Sequence, residues 1–161
     1  MNRVYNFKKL IKLESIKISA TAKTPQVDFN HLTGELVFTG RSIPENAAKL
    51  YEDVLKWVKD YAEQPNLLTN FRLNLEYFNT PSIIWIGRMI KVLSSMKRTD
   101  ATLIIHLYYD INDFANMDSE ELTDAISPII DMTGTPTVSI GIKIYGIDAE
   151  GQILKETMAL I

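Results

Sequence analysis

Apolar and polar positions change period several times along this chain, and each change marks an element. Residues 27–29 and 35–39 read as two short strands, and Asn30-His31-Leu32-Thr33-Gly34 between them supplies turn chemistry, so a hairpin is expected. Ser42-Ile43-Pro44-Glu45 has the form of a capping box with an early proline. Ala47, Leu50, Tyr51, Val54, Leu55, Val58 and Tyr61 then follow at helical spacing to about residue 63, where Gln64-Pro65-Asn66 stops the helix. Phe71, Leu73, Leu75 and Tyr77 alternate with Arg72, Asn74, Glu76 and Phe78, the pattern of a half-buried strand. A second long helix carries Ile83, Ile86, Met89, Ile90, Leu93 and Met96 on one face and ends near Lys97. Thr80 is its expected N-cap, with Pro81 at N1.

Residues 102–109 form a further strand, with Leu103, Ile105, Leu107 and Tyr109 on one side. A short helix is expected over 119–126 and a last alternating strand through Val138, Ile140, Ile142 and Ile144. The remaining residues return as a hairpin through Asp148-Ala149-Glu150-Gly151. Strand, helix and strand in succession require right-handed crossovers and parallel pairing. Strands buried on both faces would read as nearly continuous apolar runs, and these alternate. The expected fold is therefore α/β: a two-layer mixed sheet with helices mainly on one face and a polar, partly open face on the other. No linker or repeat divides the chain, so residues 1–161 form one domain, with a basic arm at 1–23 and a C-terminal strand and hairpin extension at 132–161.

Composition narrows the classes. The 161 residues are 46% hydrophobic, enough for one core, and no apolar run reaches the roughly 18 residues of a membrane span. No apolar segment follows the first basic residues as in a signal peptide, so the expected location is cytoplasmic, without membrane insertion. The absence of cysteine excludes disulfides and thiolate metal sites, and His31 and His106 supply a metal poorly. No metal or cofactor is expected. The net charge of −3 is uneven: residues 1–24 hold six basic side chains and one acid, leaving 11 basic and 19 acidic residues elsewhere. The arm lacks the interleaved aromatics that base stacking needs, so no nucleic-acid partner is expected and the arm reads as a solvated helix or strand.

Arg41, Thr80 and Asp110 each lie just past a strand end, where ligands of open α/β sheets bind. A hydroxyl at a helix N-terminus is either a cap or a phosphate acceptor, since phosphate is welcome at the positive end of the dipole; the residues alone leave both readings open. An arginine such as Arg41 could meet that phosphate, and Ser82, read as a surface residue of the first turn, is the second-choice acceptor. The acidic run from Asp110 to Asp131 misses a calcium loop because Phe114 and Ala115 break its spacing. His106 falls on the polar face beside Tyr108 as a satisfied surface histidine, and Trp57 and Trp85 read as packing residues. Three functions stay open on this basis: a phosphorylation switch, a phosphorylation-independent adaptor, and a small ligand-binding or hydrolytic enzyme using Asp110 and Arg41.

Gly40-Arg41-Ser42-Ile43-Pro44-Glu45-Asn46-Ala47 and Leu75-Glu76-Tyr77-Phe78-Asn79-Thr80 together resemble the two signature segments of the SiaC family of bacterial phosphoproteins. Thr24-Pro25-Gln26-Val27-Asp28-Phe29 and Tyr108-Tyr109-Asp110 also fall where that family has similar residues. The resemblance implies a non-enzymatic partner switch of the kind seen in anti-sigma factor antagonists (STAS-like), with a related fold. It implies phosphorylation of Thr80 by a dedicated kinase and its reversal by a metal-dependent Ser/Thr phosphatase. The unphosphorylated form would bind a diguanylate cyclase, linking the protein to cyclic di-GMP and biofilm regulation. It also places the partner-binding surface on Arg41, Ser42, Pro44, Glu45, Asn46, Tyr77, Asn79 and Asp110. Family sequences commonly continue Thr-Ser-Ser where this chain has Thr80-Pro81-Ser82.

Overall fold

The computed structural model describes residues 12–161. The first half of the expected basic arm, residues 1–11, lies outside the described residues. Its continuation is a strand, β1 (Ile16–Ile18), at one edge of a seven-stranded sheet. β2 (Gln26–Asn30), β3 (Glu35–Ser42), β4 (Leu68–Phe78), β5 (Thr102–Asp110), β6 (Ser139–Ile147) and β7 (Ile153–Leu160) follow across the sheet in chain order. β3 to β6 are mutually parallel; β1, β2 and β7 attach antiparallel at the two sides. Because every crossover steps one strand in the same direction, right-handed connections put all the helices on one face. The mixed two-layer architecture is the one expected.

The expected hairpin is β2–β3. Asn30 Oδ1 accepts from the N–H groups of Leu32 and Thr33, and the Gly34 N–H donates to the Asn30 carbonyl at 3.0 Å. Gly34 has φ +73°, and a Cβ there would stand 2.4 Å from the Leu68 carbonyl oxygen, so the turn admits only glycine.

Helix α1 (Ala47–Glu63) turns Tyr51, Val54, Leu55, Trp57, Val58 and Tyr61 onto the sheet, where Phe29, Phe38 and Phe71 pack edge to face on one another, Phe38 also meets Tyr51 edge to face, and Phe29 lies tilted against Trp57. Burying each such side chain contributes about 1.5–3 kcal/mol. The capping-box expectation fails here. Ser42 is the last residue of β3 and is buried, while Glu45 pairs with Lys23; the cap of α1 is Asn46, whose Oδ1 accepts from the Lys49 N–H at 3.3 Å. Helix α2 (Thr80–Ser94) buries Ile86, Met89, Ile90 and Leu93 in the same layer. Two helices fill the β5–β6 crossover: α3 (Ile111–Asn116) and α4 (Ser119–Thr133), the latter opened by a capping box of Asp118 and Glu121 and running seven residues past its expected end, through Pro128. No helix among the described residues is long and apolar enough to cross a membrane.

The face away from the helices is polar, as expected, but closed at its centre. His106 is buried there, not a surface histidine, because Asn70 and Arg72 of β4 and Tyr145 of β6 close around it. Its Nε2–H donates to Asn70 Oδ1 at 2.8 Å, and its Nδ1 accepts from the Tyr145 hydroxyl at 2.7 Å and Arg72 Nη1 at 3.1 Å. Asn70 Nδ2 donates in turn to Glu35 Oε1, and Arg72 is paired with Glu35 at 2.7 Å. Burial and the Arg72 charge push the His106 pKa down to about 4, so the imidazole is neutral at neutral pH.

Candidate functional site

The site starts from an irregularity in the sheet. β3 and β4 run in regular parallel register to Gly40↔Leu75, then shift so that Arg41 pairs with Tyr77 and Glu76 is left over. Gly40 adopts φ +108° at this bulge with open space around it, so its backbone conformation is the constraint. Beyond the bulge the alternation read from the sequence no longer holds. Tyr77, expected on the buried side with Leu75, is exposed, and so is Phe78, because β4 outruns the helical layer.

The bulge also fixes two loops side by side. The Asn79 N–H donates to the Ser42 carbonyl at 2.9 Å, and Asn79 Nδ2 donates to the Pro44 carbonyl at 3.4 Å. Beneath them lies a buried hydroxyl cluster. Ser82 Oγ is 2.7 Å from Ser42 Oγ, 2.9 Å from the Ser42 carbonyl and 2.7 Å from Asn79 Oδ1, and Ser42 Oγ also meets the Tyr51 hydroxyl. Burial raises the Tyr51 pKa, keeping that phenol protonated.

This arrangement corrects two expectations about the start of α2. Asn79, not Thr80, is the N-cap: its Oδ1 accepts from the Ser82 N–H at 3.1 Å. Thr80 is the first helical residue and its side chain is exposed. Ser82 is not a surface residue, since it is fully buried and its hydroxyl is engaged. The folded chain therefore presents the Thr80 hydroxyl and encloses that of Ser82. An Asn three residues before a Ser at a helix start was a readable capping signal; burial of the serine was not.

Thr80 stands among exposed apolar side chains: Tyr77 and Phe78 before it, Ile84 one turn later, and Ile43 on the neighbouring loop. Arg41 does share the strand edge, since β3 is parallel to β4. Its guanidinium is occupied, with Nε 3.4 Å from Glu76 and the group 5.4 Å from the centre of the Tyr77 ring. Glu45 and Asn46 are exposed beside the same loop, and Pro44 is buried beneath it. Lys23 holds the Glu45 carboxyl below its ordinary pKa.

Asp110 lies on the far side of a cleft. Pairing between β4 and β5 ends at Leu73↔Leu107, whereas β3–β4 continues to Ser42↔Phe78 and β5–β6 to Asp110↔Ile147. The sheet thus splits at its carboxyl end into two halves. The cleft between them, of about 880 Å³, is lined by Glu76, Phe78, Ile83, Tyr109, Asp110, Asp113, Ile129 and Met132 among others. Arg41 is not among the lining residues, and neither histidine is. Asp110 itself caps α3, accepting from the Asn112 N–H at 2.8 Å. The Asp110–Arg41 pairing that a small hydrolase would need is not formed.

A family model described as SiaC family regulatory phosphoprotein matches residues 18–137. This chain belongs to the SiaC family. The family is described as one of regulatory phosphoproteins. An uncharacterized protein of Pseudomonas aeruginosa (strain UCBPP-PA14) is 26% identical over 98 residues, which is 61% of this chain and 78% of that protein. The crystal structure of apo-SiaC from Pseudomonas aeruginosa superposes with a TM-score of 0.62 at 21% identity, covering 81% of this chain and 98% of that one. A chain in the crystal structure of the diguanylate cyclase SiaD in complex with its activator SiaC, from the same organism, gives 0.63 at 22% identity, covering 81% and 99%. At these identities the structural likeness establishes the shared fold.

Proposed function

We propose that this protein is a non-enzymatic partner switch: a cognate kinase phosphorylates Thr80, a metal-dependent Ser/Thr phosphatase reverses it, and the unphosphorylated form docks on a signalling effector such as a diguanylate cyclase. The observation that carries this reading is the exposed Thr80 hydroxyl in the middle of an exposed apolar patch of Ile43, Tyr77, Phe78 and Ile84. The capping arrangement supports it, because Asn79 does the work of the cap and leaves the threonine oxygen without a structural task.

The start of the helix also indicates how such a switch would act. Pro81 has no N–H, the Ser82 N–H is taken by Asn79 Oδ1, and the Ile83 N–H by the Asn79 carbonyl at 3.2 Å. Of the first four helical positions, only Thr80 keeps an uncommitted backbone donor. A phosphate on Thr80 is therefore tolerated by the dipole but not gripped by the helix, and it projects into the patch. A dianion there repels or desolvates poorly against an apolar partner surface, so phosphorylation releases the effector and leaves α2 folded. Arg41, Glu45, Asn46, Tyr77 and Asn79 form the near part of that docking surface, Ser42 and Pro44 support it from below, and Asp110 borders it across the cleft.

The test is phosphosite mapping by mass spectrometry after incubation with the candidate kinase, followed by binding of both forms to the cyclase. One phosphate on Thr80, its absence in Thr80→Ala, and at least a tenfold weaker complex after phosphorylation are expected. Full phosphorylation of Thr80→Ala would refute the site, and equal affinity of the two forms would favour a phosphorylation-independent adaptor.

A further inference from the structure

The cleft left where β4 and β5 part company has walls of two kinds. Ile83 and Ile86 of α2 and Ile129 and Met132 of α4 give it an apolar side toward the helical layer. Glu76, Asp110, Asp113, Asp148 and Glu150 add carboxylates that are exposed or half-exposed, from the strand ends, α3 and the β6–β7 turn. No lysine, arginine or histidine among the described residues lines it. Of these carboxylates only Glu76 has a basic partner among the described residues, Arg41, which stands outside the cleft. An apolar cleft with a few converging polar groups is the usual form of a binding site. We propose that it binds an extended segment of a partner protein in which apolar and basic residues alternate.

The charge of the occupant follows from the lining. Carboxylates gathered at one opening repel one another, and a lysine or arginine brought among them relieves that repulsion. An acidic or neutral apolar segment would leave them facing one another in a less hydrated space.

The backbone of the cleft sets the conformation of the occupant. Residues 74–78 of β4 pair only with β3, and residues 108–110 of β5 only with β6. A strand inside a parallel sheet bonds to both neighbours, so each of these segments turns main-chain N–H and C=O groups into the cleft. No backbone bond outside the strands reaches either segment among the described residues. A helical ligand has its own main-chain groups committed. An extended one supplies the donors and acceptors that these edges lack, which is how a peptide adds to a sheet. At about 3.3 Å per residue, residues 74–78 offer it about 17 Å of edge. Side chains of an extended segment alternate between two sides. One set meets the apolar wall of α2 and α4, and the other reaches the carboxylates at the opening.

Binding here does not depend on the reading of Thr80, so the test uses the unphosphorylated full chain. The probe is a short peptide of alternating lysine and leucine, titrated by calorimetry beside an alternating lysine–serine peptide and an alternating glutamate–leucine peptide. The lysine–leucine peptide is expected to bind at least about tenfold more tightly than either control. Asp113→Lys/Glu150→Lys should weaken it at least about tenfold with unchanged circular dichroism, whereas Glu52→Lys/Asp53→Lys, the same charge change on the exposed face of α1, should weaken it less than about twofold. Amide hydrogen exchange at residues 74–78 or 108–110 should slow in the complex. Equal affinity of wild type and the Asp113/Glu150 variant would overturn the proposal, as would equal binding of the lysine–serine peptide or unchanged exchange at both segments. Tighter binding of the probe by Lys8→Glu/Lys9→Glu than by wild type would give the cleft to the chain's own basic arm and overturn a partner as its occupant.

Discussion

Acidification is expected to weaken this fold through His106 before general acid unfolding begins. The imidazole is buried and already accepts two hydrogen bonds at Nδ1, one of them from the Arg72 guanidinium, so a proton there would displace a donor and face a cation. Its folded pKa of about 4 lies below the value of 6.5 of the free side chain. The sign follows. Above pH 6.5 the histidine is neutral in both states; below it, the unfolded chain takes up a proton that the folded chain refuses until about pH 4. Stability therefore falls as pH falls through this window, by about 2 kcal/mol at pH 5 and about 3 kcal/mol when the window is fully crossed.

Urea unfolding of wild type and His106→Gln at pH 7.5 and 5.0 measures the effect. Glutamine cannot titrate, so the variant starts less stable but should lose about 2 kcal/mol less on acidification than wild type. His31 and the carboxylates are common to both chains and cancel in the comparison. With two histidines in the sequence, the folded-state titration of His106 is also readable by NMR. A His106 resonance titrating near 6.5, or equal losses in the two proteins, would refute the account of the buried network.

Other substitutions separate the parts of the site. Asn79→Ala removes the α2 cap and is expected to cost about 1–2 kcal/mol in urea unfolding, raising proteolysis at residues 78–82. Ser82→Ala breaks the buried link to Ser42 and should cost about 1–3 kcal/mol, yet leave one phosphate per chain if Thr80 is the acceptor. Gly34→Ala places a Cβ against the Leu68 carbonyl at positive φ and should cost at least about 1–2 kcal/mol, with a parallel fall in thermal midpoint.

Much of the fold was legible in the chain because period alone carries it. The alternation at Phe71, Leu73 and Leu75, the helical spacing from Ala47 to Tyr61, and the turn chemistry at Asn30 and Gly34 each report a local backbone preference. Their succession dictated parallel pairing and one helical layer. The failures cluster where local rules met tertiary ones. Ser42-x-x-Glu45 is a capping box by local chemistry, but Ser42 is drawn into the sheet by pairing with Phe78 and into the hydroxyl cluster beneath α2. Tyr77 continues an apolar alternation, but the bulge at Gly40 and the end of the helical layer leave it in solvent.

Thr80 shows the division most clearly. From the sequence by itself came a hydroxyl residue at a helix start, within two segments that resemble one family's signature. Whether that oxygen was needed by the helix depended on which neighbour reached the Ser82 N–H, and that was decided by the approach of the β3 and β4 loops, 35 residues apart in the chain. Asn79 is held there by the Ser42 and Pro44 carbonyls, so it takes the cap and Thr80 is left outside. The cleft between Leu73 and Asp110 was likewise invisible, because where strands stop pairing depends on which neighbours they keep. Local pattern specifies which elements form; long-range pairing specifies which of their side chains are left free to act.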